Sequence, residues 1–137
     1  MKIDSIFVLT YKKAVITIFP KYLRVQTRYC GRTGKPVGIF TACWHLLRAE
    51  KLSDDDKTLF LKIESWFVEN LLKPEFYENG NEIKGTTWFK RIPSEHLVKE
   101  LEPLMALLDK YGVKYDVVLS NYPGDIIYED DYQVGVI

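Results

Sequence analysis

The chain is short of the features that most readily announce a function. It has two cysteines, Cys30 and Cys43, and no CxxC pair. Two are too few to staple a secreted domain, so both read as reduced thiols in a cytoplasm, with Cys43 a small buried hydrophobe. Neither cysteine is spaced with His45 or His96 to seed a tetrahedral zinc site, and no metal or other cofactor is expected. An excess of one charge is also lacking: 19 Lys plus Arg balance 19 Asp plus Glu. That balance removes bulk attraction to nucleic acid or to an anionic membrane, though a local basic face remains open. It gives little protection against self-association either, so a homodimer is the expected assembly. No apolar run approaches the roughly 18 residues of a membrane span. The opening MKIDSIFVLTYKKAVITIF is broken by Asp4, Lys12 and Lys13. It shows no small-residue cleavage site, which argues against a signal peptide.

What is present fits one domain spanning residues 1–137. Of its residues 47% are hydrophobic and 28% charged, the ordinary balance of a chain that buries a single core. AVITIF at 14–19 is β-branched and aromatic and reads as a strand ended by Pro20. In YLRVQTRYC the alternation sets Leu23, Val25, Thr27 and Tyr29 on one face and Tyr22, Arg24, Gln26 and Arg28 on the other. GRTGKP is a turn, after which Ile39, Phe40, Cys43, Leu46 and Leu47 recur at helical spacing. Ser53, followed by Asp54, Asp55 and Asp56, opens a second helix, because carboxylates in a first turn suit the helix dipole. Its stripe is Leu59, Phe60, Ile63, Phe67 and Leu71. A polar loop and the short strand TTWFK follow. A third helix begins near Pro93–Ser94 and stops at Gly112, and Pro103 inside it predicts a kink or a split. VKYDVVLS and the closing segment supply the last strands. The order β-β-α-α-β-α-β-β does not alternate strictly. It predicts an α+β fold: a mainly antiparallel sheet of four to six strands with about three helices packed on one face.

The segments GKPVGIF, WFVENLLKPEFY, TTWFK and PGDIIYEDDYQV, in that order, resemble a group of small bacterial hypothetical proteins. The shared pattern is GxF, WFxxNLxxP, WFK and PGxIxYEDxYQV. The likeness covers about 22–136, which makes 1–21 an N-terminal addition to a family core. It implies a single-domain bacterial origin and carries no activity with it.

Several groups carry chemistry. GRTGKP places Arg32 and Lys35, with Arg28 just before them, beside a helix N-terminus, a pattern suited to an anion or to a solvated turn. Lys90 and Arg91 precede a helix N-terminus, where cations oppose the dipole, so one of them is expected to pair with Glu129 or Asp130. Trp66, Phe67, Trp88, Phe89, Tyr128 and Tyr132 could stack bases or simply fill a core. In a straight closing strand Asp130 would fall among apolar residues, so it must be paired or carried out by a turn, while Glu129 and Asp131 stay wet. The resulting site candidates are Arg28, Arg32, Lys35, Trp88, Lys90, Arg91, Tyr128, Glu129 and Asp130. No catalytic residue stands out. The expected role is a cytoplasmic bacterial or phage binding protein without its own turnover, recognising a protein partner or a small anionic ligand. Regulatory, immunity and defence functions all fit that role. Two alternatives remain: an enzyme joining Lys90 and Arg91 to Glu129 and Asp130, and a single-stranded nucleic-acid module.

Overall fold

The computed structural model describes residues 10–11, 14–15, 20–74 and 85–137. Thr10–Tyr11 (β1) and Ala14–Val15 (β2) form a small antiparallel ladder of their own. The rest of the strand expected at 14–19 lies outside the described residues, as does nearly all of the polar loop before TTWFK. The main sheet has six strands: Tyr22–Cys30 (β3), Pro36–Gly38 (β4), Thr86–Lys90 (β5), Tyr115–Ser120 (β6), Ile126–Glu129 (β7) and Gln133–Val136 (β8). Every pairing in it is antiparallel. The described residues also form four helices: Ile39–Arg48 (α1), Asp54–Asn70 (α2), Glu95–Lys99 (α3) and Glu102–Lys110 (α4). The protein is therefore α+β.

β3 organises the sheet. Its alternation buries Leu23, Val25 and Thr27 and leaves Tyr22, Arg24 and Gln26 half-exposed on the other face. β6 pairs with it from Tyr22 to Thr27. The opposite edge of β3 serves two partners, β5 at Tyr22 and Leu23 and β4 at Gln26 and Cys30. β4 and β5 therefore part company near Arg24. Tyr29 departs from expectation: it lies past the end of the β6 ladder and is exposed.

The helices share one core with the buried face of β3. Leu23, Phe60, Leu97, Leu101, Leu104 and Leu108 are fully buried there, each contributing about 1.5–3 kcal/mol by leaving water. A smaller cluster of Trp88, Val134 and Val136, joined by Tyr22 and Val118, covers part of the opposite face. Local signals explain the helix limits. Ser53 Oγ accepts a hydrogen bond from the Asp56 N–H at 3.1 Å and caps α2. Tyr111 and Lys110, at the end of α4, reach back to Asp56 Oδ2 at 2.5 and 2.7 Å and tie the two helix ends together. Pro103 does split the third helix, and sits in the first turn of α4 where its missing N–H costs nothing. Two further features differ from the reading of the sequence. β4 is a three-residue strand where a turn running into a helix was expected. Leu59, placed in the core stripe of α2, is 38% exposed.

Candidate anion-binding cavity

The separation of β4 from β5 leaves a cavity of about 600 Å³ beside the start of α1. Its chemistry is one-sided. Arg24 enters from β3, Arg32 and Lys35 from the β3–β4 turn, and His45 and Arg48 from α1. Among the described residues no Asp or Glu lines it.

Each cation is placed for a local reason. Arg24 fills the fork between the strands: Nη1 donates to the Thr87 carbonyl at 2.9 Å, Nη2 to the Pro36 carbonyl at 3.5 Å, and Nε to Gln26 Oε1 at 3.0 Å. The turn carrying Arg32 and Lys35 is closed by the Gly31 N–H to the Lys35 carbonyl at 2.9 Å and by the Gly34 N–H to the Gly31 carbonyl at 3.0 Å. Gly34 has φ +78°, a conformation that glycine adopts without strain. Thr41, His45 and Arg48 stand four and then three residues apart, so they form one stripe of α1 facing the cavity while Ile39, Ala42, Cys43 and Leu46 face the core. α1 begins at Gly38 with no side-chain cap and no acidic residue in its first turn, so its N-terminal dipole is uncompensated by local carboxylates.

Two contacts steady the far wall. Arg48 lies 5.6 Å from the centre of the Trp44 ring. His45 Nδ1 is 2.8 Å from the Tyr29 hydroxyl. Partial burial raises the Tyr29 phenol above its ordinary value, so it stays protonated at neutral pH. The direction of that hydrogen bond follows the tautomer of the ring.

A second cavity, of about 240 Å³, adjoins the first and shares Arg24, Gly38 and Thr41 with it. Its remaining walls are mostly apolar, with Phe40, Leu71, Trp88 and Phe89 around the side chain of Gln133. Gln133 is held from both sides: Nε2 donates to the Leu72 carbonyl at 2.6 Å and to Asp130 Oδ2 at 3.0 Å.

The residues singled out from sequence fall into separate places. Arg32 and Lys35 line the cationic cavity, and Trp88 lines the apolar one. Arg28 faces elsewhere and pairs with Asp116 at 3.1 Å, both side chains well exposed, a contact of small energetic value. Lys90 makes the expected cross-sheet pair, with Nζ 2.6 Å from Glu129 Oε2. It stands four residues beyond Thr86, the β5 residue at the cationic cavity, hence about 13 Å along the strand. Neither cavity has Lys90, Arg91, Glu129 or Asp130 in its described walls.

Arg91 is 9% exposed, sends Nη1 to the Pro20 carbonyl at 3.0 Å, and has no hydrogen-bond partner for Nε among the described residues. Desolvation lowers its pKa from the ordinary value, with Glu95 acting in the other direction. Tyr128 donates to Asp130 Oδ2 at 2.7 Å. Asp130 Oδ1 accepts from the Tyr132 and Gln133 N–H groups at 2.8 and 3.0 Å. Asp130 is thus the organiser of the β7–β8 turn, and Glu129 and Asp131 are exposed. Partial burial pushes the Asp130 carboxyl up, but the donors around it outweigh that and hold it below its ordinary value.

Of the aromatics weighed as a stacking strip, Phe67 and Trp88 are buried and Trp66, Phe89, Tyr128 and Tyr132 half-buried. Among the described residues no group of three or more His, Cys, Asp or Glu side chains could hold a metal ion. No helix among them is long and apolar enough to cross a membrane.

In the sequence Arg24 counts with Arg28 toward a basic strand face suited to single-stranded nucleic acid, and nothing local connects it, His45 or Arg48 with the turn. The available signal was the Thr41–His45–Arg48 spacing on the polar side of α1. No protein-family model, curated protein or solved structure matches the chain significantly.

Proposed function

We propose that this protein binds a small, phosphate-bearing anion in the cationic cavity and has no turnover of its own. One observation carries the reading: three guanidinium groups, an ammonium and an imidazole line a single cavity whose described walls contain no carboxylate. A polyanion bound there would meet several positively charged side chains at once. Planar guanidinium forks match phosphate oxygens two at a time, and the start of α1 adds its dipole. A monocarboxylate would neutralise only a fraction of this charge. A cytoplasmic bacterial protein meets phosphorylated small molecules constantly, which suits this role.

Thermal unfolding and calorimetric titration with inorganic phosphate, pyrophosphate and acetate test the reading. A ligand present at 100 times its Kd stabilises by about 2.7 kcal/mol, a shift of several degrees in Tm for a chain of this size. Phosphate or pyrophosphate should produce such a shift, and acetate should not. Arg32→Ala and Arg48→Ala should each weaken binding about tenfold or more, whereas Arg28→Ala, outside the cavity, should leave it unchanged. Equal effects of all three substitutions, or no response to either phosphate, would refute the proposal.

A further inference from the structure

We infer that the bound anion carries a compact apolar group, and that this group occupies the smaller cavity between α1 and β5. The ligand class is an aryl or similarly flat phosphate monoester. This rests on the reading of the cationic cavity and adds what the other half of the ligand must be.

The two cavities are neighbours with opposite chemistry, and Arg24, Gly38 and Thr41 stand between them. On one side are cations. On the other are Phe40, Leu71, Trp88 and Phe89, with the Gln133 side chain already engaged by the Leu72 carbonyl and Asp130. A phosphate alone would leave those apolar walls facing water beside it. A ligand that joins an anion to a flat apolar group meets both requirements, its charge held by the guanidinium groups and its ring removed from water.

The dividing wall is built for a narrow crossing. At Gly38 a Cβ would lie 3.4 Å from Arg24 Nη2, so the guanidinium lies close over a backbone that carries no side chain. The bond linking phosphate to ring passes at this point, within reach of the Thr41 hydroxyl. Arg24 is fixed by two backbone carbonyls and can serve as a rigid edge to both compartments. The size of the smaller cavity, about 240 Å³, limits the apolar group to roughly one or two fused rings.

The experiment compares inorganic phosphate, phenyl phosphate and 1-naphthyl phosphate on the full chain by calorimetry, with the Trp88 indole N–H followed by NMR. Phenyl phosphate should bind about tenfold or more tightly than inorganic phosphate, as expected for removing a ring from water. It should shift the Trp88 resonance, which inorganic phosphate should leave in place. Leu71→Trp, which fills the slot, should return phenyl phosphate to the affinity of inorganic phosphate. The wild-type NMR comparison decides the matter even where that variant fails to fold. Equal affinities for phosphate and phenyl phosphate, with Trp88 unmoved, would overturn this inference and leave the anion site standing. Failure of all three to bind would overturn both.

Discussion

Replacing Asp130 should loosen both the β7–β8 turn and the floor of the apolar cavity. Its carboxylate receives four hydrogen bonds, from Tyr128 Oη, the Tyr132 N–H, and the Gln133 N–H and Nε2. Hydrogen bonds to a charged acceptor are worth about 1.5–3 kcal/mol each when removed singly, but they are not additive within one network. In Asp130→Ala the Tyr128 hydroxyl can turn to water, and Gln133 keeps the Leu72 carbonyl. The two backbone N–H groups lose their only described acceptor. The expected cost is about 2–4 kcal/mol. Asp130→Asn preserves an oxygen for those N–H groups but sets its NH₂ against Gln133 Nε2, donor against donor, for about 1–2 kcal/mol.

The dependence on pH follows from the direction of the Asp130 shift. The folded-state value is depressed, so the stabilisation is complete above the ordinary carboxylate value of about 3.9. It is lost as pH falls from there through the folded value. Urea denaturation of wild type and both variants at pH 7 and at pH 3 measures this. The gap between wild type and Asp130→Ala should shrink at the lower pH, because the unfolded chain, whose carboxyl has the higher value, then takes up the proton more readily than the folded one. A gap below about 0.5 kcal/mol at pH 7, within the usual range of surface substitutions, would refute the network argument. A gap that grows toward acid would refute the assigned sign.

Three further perturbations probe other parts of the fold. Glu50 ends α1 at φ +56°, with the Lys51 N–H reaching the Leu46 carbonyl at 3.0 Å, so Glu50→Gly relieves a left-handed residue and should stabilise by about 0.5–1 kcal/mol in chemical denaturation. Gly112 holds the equivalent place after α4 at φ +71°, and Gly112→Ala should cost about 1 kcal/mol in the same assay. Burial pushes the Cys43 thiol up to about 12, whereas Cys30 is exposed. Ellman's reagent at pH 8 should therefore titrate one thiol in the native protein and two after denaturation; two fast native thiols would contradict the packing around α1.

Legibility in the sequence followed the range of the interactions concerned. Ser53 with its three aspartates, Gly112 and Pro103 act within a few residues, and each marked a real boundary. The period of two in β3 was readable because the sheet has one face against the helices. β4 was not, since three residues become a strand only by meeting the far end of β3. The Lys90–Glu129 pair was foreseeable from misplaced charge, because a cation before a helix N-terminus needs an anion from elsewhere. Arg32 and Lys35 were noticed beside a helix start, but the cavity also needs Arg24, His45 and Arg48. Those come together only when β4 and β5 divide the edge of β3, and no local pattern encodes that division.

The same division assigns two functions to one residue. Where β5 stops at Leu23 and β4 starts at Gln26, two carbonyls of the diverging strands, Thr87 and Pro36, are met by the Arg24 guanidinium in place of a neighbouring strand. Arg24 thus substitutes for a missing stretch of ladder while presenting its charge to the cavity. Losing it would free two partly buried carbonyls as well as remove a cation, so reduced binding in Arg24→Ala would not separate folding from recognition. Arg32 and Arg48 have no such structural debt among the described contacts: Arg48 rests on Trp44, and Arg32 projects from a turn closed by its neighbours' backbone. If the anion reading is right, Arg32→Ala and Arg48→Ala should weaken phosphate binding while the unliganded Tm holds steady or rises, because each removes a like charge from the cluster. A fall of more than about 3–4 °C in the unliganded Tm of either variant, comparable to about 1 kcal/mol, would mean that these cations stabilise the fold directly and would remove the argument that they await a ligand.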